Sequence, residues 1–270
     1  MKGYIVDVEF IWGFQCRIAG LSKTSPSFLY PPPTTFLGAL AESIAKREAI
    51  GEEKGKQLIS ALCKNLLALG VRPLNAIPVK YEDLNRIIAV KITGGKYYPR
   101  VDNLIASFDS PARGKTILSS IDGEPPRLRF FIVVKSTMPE IDNEKIEITS
   151  EHFWSIHRIG SKESRISVIN VEEISDLETK INTRIITNYS FPLFSSIRPM
   201  RPIQIKWNAE VYIDPFKIEE YKPLEYVKGK KLLPFMVPIL VRSPPEYIVE
   251  LKKDAQAFSY KKEVVIGCSA

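Results

Sequence analysis

The chain has 270 residues, 44% of them hydrophobic, with 38 Lys+Arg against 31 Asp+Glu and a formal net charge of +7. That length suits one large or two modest domains with real cores, and the basic excess favours a polyanionic partner. Three dispersed cysteines, Cys16, Cys63 and Cys268, form no CxxC pair, which argues against a disulfide framework or a zinc site and fits a reducing cytosol.

The N-terminal stretch MKGYIVDVEFIWGFQCR is broken by Asp7 and Glu9, unlike a signal peptide. No run is long enough to span a bilayer, so a cytoplasmic protein free of the membrane is expected. Val6, Val8, Phe10, Trp12 and Phe14 alternate at period two and predict a long strand with one buried face. A loop follows over Gly20–Pro33. Phe36, Leu37, Leu40, Ala41, Ile44 and Ala45 recur at helical spacing, with Thr34 or Thr35 as the cap and Gly51 at the helix end. A second helix is predicted over Lys54–Leu69, with Leu58, Ile59, Leu62, Leu66 and Leu67 on one side and Gly70 beyond its last turn.

Arg86–Thr93 predicts a strand, closed by a hairpin-type turn at Gly94-Gly95. Residues 96–127 are polar, with no sustained period. LRFFIVVK, Leu128–Lys135, is almost wholly apolar and predicts a central strand. Ser150 caps a short helix over Glu151–Ile159, ended by Gly160, and Arg165–Val171 forms the next strand. After about residue 178 the chain becomes strand-like and proline-rich, with strands expected at Arg184–Thr187, Ile203–Ile213 and Pro238–Arg242. The resulting order, strand, helices, strand, strand, helix, strand, is the βαββαβ order of α+β ferredoxin-like domains. The expectation is a domain over 1–178, with an inserted hairpin at about 86–129, and a smaller mainly-β region over 179–270.

Signals for catalysis are poor. His152 and His157, five residues apart on one helix, would point about 140° apart and could not share a metal. No GxSxG, HExxH, Walker or GxGxxG pattern occurs. Two other features point to phosphates. In HRIGSKESRISV, residues 157–168, a glycine turn is followed by hydroxyls and cations: His157, Arg158, Gly160, Ser161, Lys162, Ser164 and Arg165. This set suits phosphate oxygens, and equally suits an ordinary helix-ending turn. Between Arg86 and Arg129, eight basic residues face four acids, a net +4 that exceeds half the whole-chain excess of +7. Tyr97 and Tyr98 beside Lys96 and Arg100 have the pattern of aromatics stacking on unpaired bases while cations hold the backbone. Arg198, Arg201, Lys228, Lys230 and Lys231 form weaker basic runs.

SFLYPPPTTFLGALAESIA, residues 27–45, resembles the segment after the first strand in the Cas-five family of CRISPR-associated proteins, within the RAMP superfamily. HRIGSKESRISV resembles that family's glycine loop, particularly in the archaeal type I-A branch. The resemblance covers about residues 1–172. It implies an RRM-like body with a β-hairpin thumb, in a non-catalytic subunit of the antiviral surveillance complex Cascade. Such a subunit binds the 5′ handle of the CRISPR RNA. Its partners are the repeated backbone subunit and the large subunit, with target DNA engaged indirectly and no cofactor or metal. The RNA-contacting residues would be Arg17, Thr34, Thr35, Lys91, Lys96, Tyr97, Arg100, Arg113 and Lys115, together with the 157–165 set named above. Some relatives cleave precursor RNA without metal, which leaves an endoribonuclease with His157 as acid or base as the alternative.

Overall fold

The computed structural model describes residues 1–16, 26–84, 87–88, 90–109, 112–141, 144–202, 207–218, 229–240, 245–252 and 255–268. Arg17, Arg86, Lys228 and part of the expected 20–33 loop lie outside the described residues. In chain order the first elements are β1 (Lys2–Phe10), β2 (Gly13–Phe14), α1 (Pro33–Arg47), α2 (Glu52–Asn65) and β3 (Leu66–Pro73). An excursion follows: β4 (Ala76–Leu84), β5 (Ile87–Ile88), β6 (Lys91–Thr93), β7 (Lys96–Tyr98), a 3₁₀ turn (Val101–Asn103), α3 (Leu104–Ser107), β8 (Phe108–Asp109) and β9 (Ala112–Ser120). Then come β10 (Arg127–Val134), the short pair β11 (Glu140–Ile141) and β12 (Glu144–Lys145), α4 (Ser150–Trp154) and β13 (Ile166–Ile174). Among the described residues the remaining elements are strands: β14 (Glu178–Lys180), β15 (Arg184–Thr187), β16 (Phe191–Pro192), β17 (Ile197–Pro202), β18 (Trp207–Ile213), β19 (Leu232–Pro238), β20 (Tyr247–Leu251), β21 (Ala255–Tyr260) and β22 (Glu263–Cys268).

The centre is a seven-stranded sheet in the order β13-β1-β10-β3-β22-β21-β14, and each neighbouring pair is antiparallel. The class is therefore α+β. One sheet face presents Tyr4, Val6, Val8, Phe10, Leu128, Phe130 and Ile132 to α1 (Phe36, Leu37, Leu40, Ile44) and α2 (Leu58, Leu62). Phe36 stacks on Phe130 at 4.4 Å, and Phe153 of α4 lies 4.6 Å from Tyr4. The opposite face buries Ile5, Leu67, Phe131, Val133 and Ile174 under Tyr189 and Phe258. So β1 is buried on both faces, not one. Its acids are accommodated by pairing: Arg129 donates to both oxygens of Asp7 at 2.6 and 2.7 Å, and Arg127 to Glu9 at 3.2 Å.

Several element bounds depart from the sequence expectation. The second helix stops at Asn65, and Leu66 leads directly into β3. The helical spacing of Leu66 and Leu67 misleads because β3 is sandwiched and needs apolar side chains on both faces. Gly70 is inside β3, where an added Cβ would meet Ser190 O, Tyr189 Cβ and Val265 Cγ2 at 2.9 Å each. Close approach, not a helix end, requires that glycine. The sheet's second strand in the chain is thus β3, while residues 87–93 belong to the excursion. The polar stretch 96–127 contains β9, which pairs with β4 from Ala76↔Ser120 to Leu84↔Ala112. Ala49, at φ 52°, makes the left-handed turn after α1, and Gly51 instead caps the start of α2. The cap of α4 is Thr149, in a reciprocal capping box with His152, and the helix ends at Trp154. His157 therefore does not share a helix with His152. The Gly94-Gly95 turn is as expected, with φ of 59° and 72°. Beyond residue 178, β14, β21 and β22 extend the first sheet, and two three-stranded sheets, β15-β20-β17 and β16-β19-β18, stand beside it. Of the strand expected at Ile203–Ile213, residues 203–206 lie outside the described residues and Trp207–Ile213 is strand. The strand expected at Pro238–Arg242 is displaced: β19 runs over Leu232–Pro238 and ends there, and residues 241–242 lie outside the described residues.

Candidate nucleic-acid interface

Residues 12–16 form a spine on which three parts of the chain converge. Gly13 and Phe14 pair with Ile117 and Thr116 of β9, and Leu118 N–H donates to Trp12 O at 2.9 Å. This register needs glycine, because Gly13 has φ +143° and an added Cβ would lie 2.0 Å from Thr116 O. On the other side the spine holds the glycine loop. Trp12 Nε1 donates to Glu163 O at 2.8 Å, Gln15 N–H to Ser164 Oγ at 3.0 Å, and Ser161 N–H to Gln15 O at 3.2 Å. The loop also closes on itself, through Ile159 N–H to Ser164 O, Ile166 N–H to His157 O and an Arg158↔Arg165 bridge. Gly160 sits at φ +114°, where an added Cβ would lie 3.0 Å from Gln15 O, 3.1 Å from Ser164 Oγ and 3.3 Å from Cys16 Sγ.

The third part is the first turn of α1. Burial pushes the Cys16 thiol pKa up to about 12, against the lowering influence of the neighbouring Thr35 side chain. Neither Thr34 nor Thr35 caps the helix, because its N-cap is Pro32. Pro33 has no N–H, and Thr35 and Phe36 N–H both donate to Pro32 O at 2.9 and 3.2 Å. The triple proline thus reduces the orphan donors of the helix start. Gly38, one turn on, faces open space, since an added Cβ would meet nothing within 4 Å. Helix-on-sheet contact therefore does not explain it.

The expected site residues fall into two groups. Thr35, Gly160, Ser161 and Ser164 are gathered around Gln15 and Cys16, with Thr34 half-buried beside Thr35. Ser164 is fully buried, so its hydroxyl serves the loop rather than the surface. Lys162 and Arg165 are exposed at the rim. Arg158 Nε donates to Glu42 Oε2 at 2.8 Å, Lys46 lies 2.7 Å from the other oxygen, and His157 Nε2 stands 4.0 Å from it. Burial raises the Glu42 pKa, but the hydrogen bonds from Arg158 and Lys46 outweigh it and hold the carboxyl below its usual range. Among the described residues no cluster of three metal-ligating side chains occurs.

The second group is on the excursion. Lys115 lies on β9 opposite Tyr81, and Arg113 opposite Asp83, two residues further from the spine. Lys91, Lys96 and Tyr97 are on the β6–β7 hairpin, where Tyr97 is 76% exposed and Lys91 Nζ lies 5.9 Å from the Tyr98 ring centre. Arg100 is ion-paired with Asp102. The same tip exposes Val90, Ile92, Val101 and Ile105, which the charge count did not single out. No described contact joins this tip to the glycine loop. Trp12 and Gln15 were missed because they act through tertiary contacts, with no local motif. Gln15 Nε2 is buried without a partner among the described residues.

No protein-family model matches the sequence. A solved structure, titled as a CRISPR protein from Archaeoglobus fulgidus, is 43% identical, with each chain covered in full and a TM-score of 0.73. Among curated proteins of Saccharolobus solfataricus, CRISPR-associated protein Cas5 2 is 26% identical over 71% of this chain and 68% of its own length. CRISPR system aCascade subunit Cas5 1, from the same organism, is 28% identical over 69% of this chain and 70% of its own. These relatives are all CRISPR-associated proteins. Within that class, the chain belongs to the archaeal Cas5 family.

Proposed function

We propose that this chain is a non-catalytic subunit of an archaeal, type I-A Cascade that binds the 5′ handle of the CRISPR RNA. The observation that carries this reading is the convergence of α1, the glycine loop and the base of the β4–β9 ribbon on residues 12–16. The exposed Lys162 and Arg165 supply cations for phosphates at its rim, and the positive end of α1 adds a partial charge. The strand order β13-β1-β10-β3, with α1, α2 and α4 on one face, supports a ferredoxin-like reading of residues 1–178. The β4–β9 ribbon is its thumb, and residues 179–270 are the C-terminal region. The mixed aliphatic and basic thumb tip supports contact with both RNA and a neighbouring protein, the backbone or large subunit. A cytoplasmic location follows from this role, and among the described residues no helix is long and apolar enough to cross a membrane.

The test is binding of the purified chain to CRISPR RNA with its handle intact or scrambled, across a salt series, followed by a denaturing gel. The expected result is a handle preference that persists at moderate salt, uncut RNA, and weaker binding by Lys162→Glu and Arg165→Glu. Equal, salt-labile binding to both RNAs would reduce the interaction to generic charge attraction. A defined cut in EDTA, removed by His157→Ala, would replace this reading with a metal-independent endoribonuclease.

A further inference from the structure

The outer face of the β15-β20-β17 sheet carries a row of charges that the handle reading does not use. Its register places Arg184 opposite Glu250 and Glu250 opposite Arg198, with Ile186, Ile248 and Arg201 in the next row. The alternate residues Ile185, Tyr247, Val249, Leu251 and Ile197 are buried, so the pleat commits this row to the outside. Glu250 lies 4.0 Å from Arg184 Nε and 3.6 Å from Arg198 Nη1, and both arginine side chains are 67% exposed. Compare the Asp7–Arg129 pair, where two bonds of 2.6 and 2.7 Å occupy one edge of the guanidinium. The looser contact at Glu250 aims two guanidiniums outward and leaves their donor edges available.

These residues line an open cleft of about 770 Å³ with Asn182, Thr183, Leu251 and Lys252. Its walls therefore hold three cations and one carboxylate. Lys252 is anchored by its own N–H to Ser196 O, and Leu251 N–H to Thr183 O, both at 2.9 Å. The ammonium thus rises from a fixed backbone.

We propose that this cleft is a second nucleic-acid site, which grips the phosphate backbone of a duplex without reading its sequence. Guanidiniums in pairs match phosphate oxygens. Single-strand sites add aromatic platforms, whereas the apolar side chains of this face are aliphatic, Ile186 and Ile248. The cleft is independent of the Gly160 loop, so it stands or falls separately from handle binding.

The experiment measures anisotropy of a labelled 16-base-pair DNA duplex with the full chain, with and without saturating handle RNA, across salt. In Arg184→Ala/Arg198→Ala the duplex affinity falls by about tenfold, and the slope of log K against log salt falls by close to 2, at about 0.9 per phosphate contact. Glu250→Gln raises the duplex affinity, and handle-RNA affinity is unchanged in all variants. Unchanged duplex affinity and slope in the double variant, with native circular dichroism, would overturn the proposal, as would the same result in Arg184→Gln/Arg198→Gln. Binding of polyglutamate with equal affinity and equal loss in the variants would overturn it in favour of an acidic protein surface.

Discussion

Glu263→Gln tests how the second face of the sheet is held. Glu263 accepts from Arg72 Nη2 at 2.7 Å and Nε at 3.2 Å, and from Arg129 Nη1 at 2.7 Å. All three side chains are largely buried, at 15%, 12% and 22% exposure. Breaking one partner of a buried pair costs about 3–5 kcal/mol, and because glutamine keeps one acceptor and Arg129 keeps Asp7, we expect about 2–3 kcal/mol here. For a chain of this size that lowers Tm by about 5–10 °C. The effect has a pH signature. Burial raises the Glu263 pKa, but the Arg72 hydrogen bond and the charges of Arg72 and Arg129 outweigh it, so the folded value is below the ordinary one. A depressed carboxyl contributes stability that is complete above its unfolded pKa of about 4.3 and is lost as pH falls through the folded value. Urea unfolding at pH 7 should therefore show the full gap between parent and variant, and the gap should close below pH 4. A gap under 0.5 kcal/mol by the magnitudes used here, or one that persists unchanged at pH 3, would refute the argument.

Three further outcomes are expected. Gly160→Ala should cost about 1–3 kcal/mol, because φ +114° is hostile to a side chain and Gln15 O stands 3.0 Å from the new Cβ; thermal unfolding checks this, and an unchanged Tm would contradict the geometry. Gly38→Ala should instead stabilise the chain by about 0.5–1 kcal/mol, since nothing opposes the methyl group, while a loss of handle or partner binding in that variant would show that the open face is occupied in the assembly. In thiol labelling at pH 8, Cys268 should react first, with Cys16 and Cys63 protected until unfolding, as burial pushes both of their thiols up to about 12.

The long periodic segments were legible in the sequence because one physical demand set each of them. The α1 stripe from Phe36 to Ile44 needs only the 3.6-residue repeat, and Leu128–Val134 needs only burial on both faces. Failures arose where distant residues decide. Leu66 and Leu67 fit a helix locally, yet β10 recruits them as a strand. Ala112–Ser120 is polar and aperiodic, and becomes a strand because Ala76–Leu84 lies beside it. In the candidate site, the glycine loop was visible as a motif. Its tight closure was not, because the groups that occupy its Glu163 carbonyl, its Ser164 hydroxyl and its Ser161 N–H, Trp12 and Gln15, are contributed by a segment far away in the chain. The alternation around Asp7 predicted only one buried face for β1, and the partner that lets Asp7 be buried, Arg129, could be identified only from strand pairing.

The attachment of β22 to β3, through Gly267 and Ala68, has a consequence during synthesis. Of the described strands, β22 leaves the ribosome last, while β3 is made in the first third of the chain. Ser190 satisfies Val71 on that side of β3, but until β22 arrives the edge around Ala68, next to apolar Leu67 and Leu69, is open. Such an edge invites pairing with the wrong strand or with another nascent copy. A chain cut short before residue 263 would lack this partner and leave that part of the β3 edge exposed.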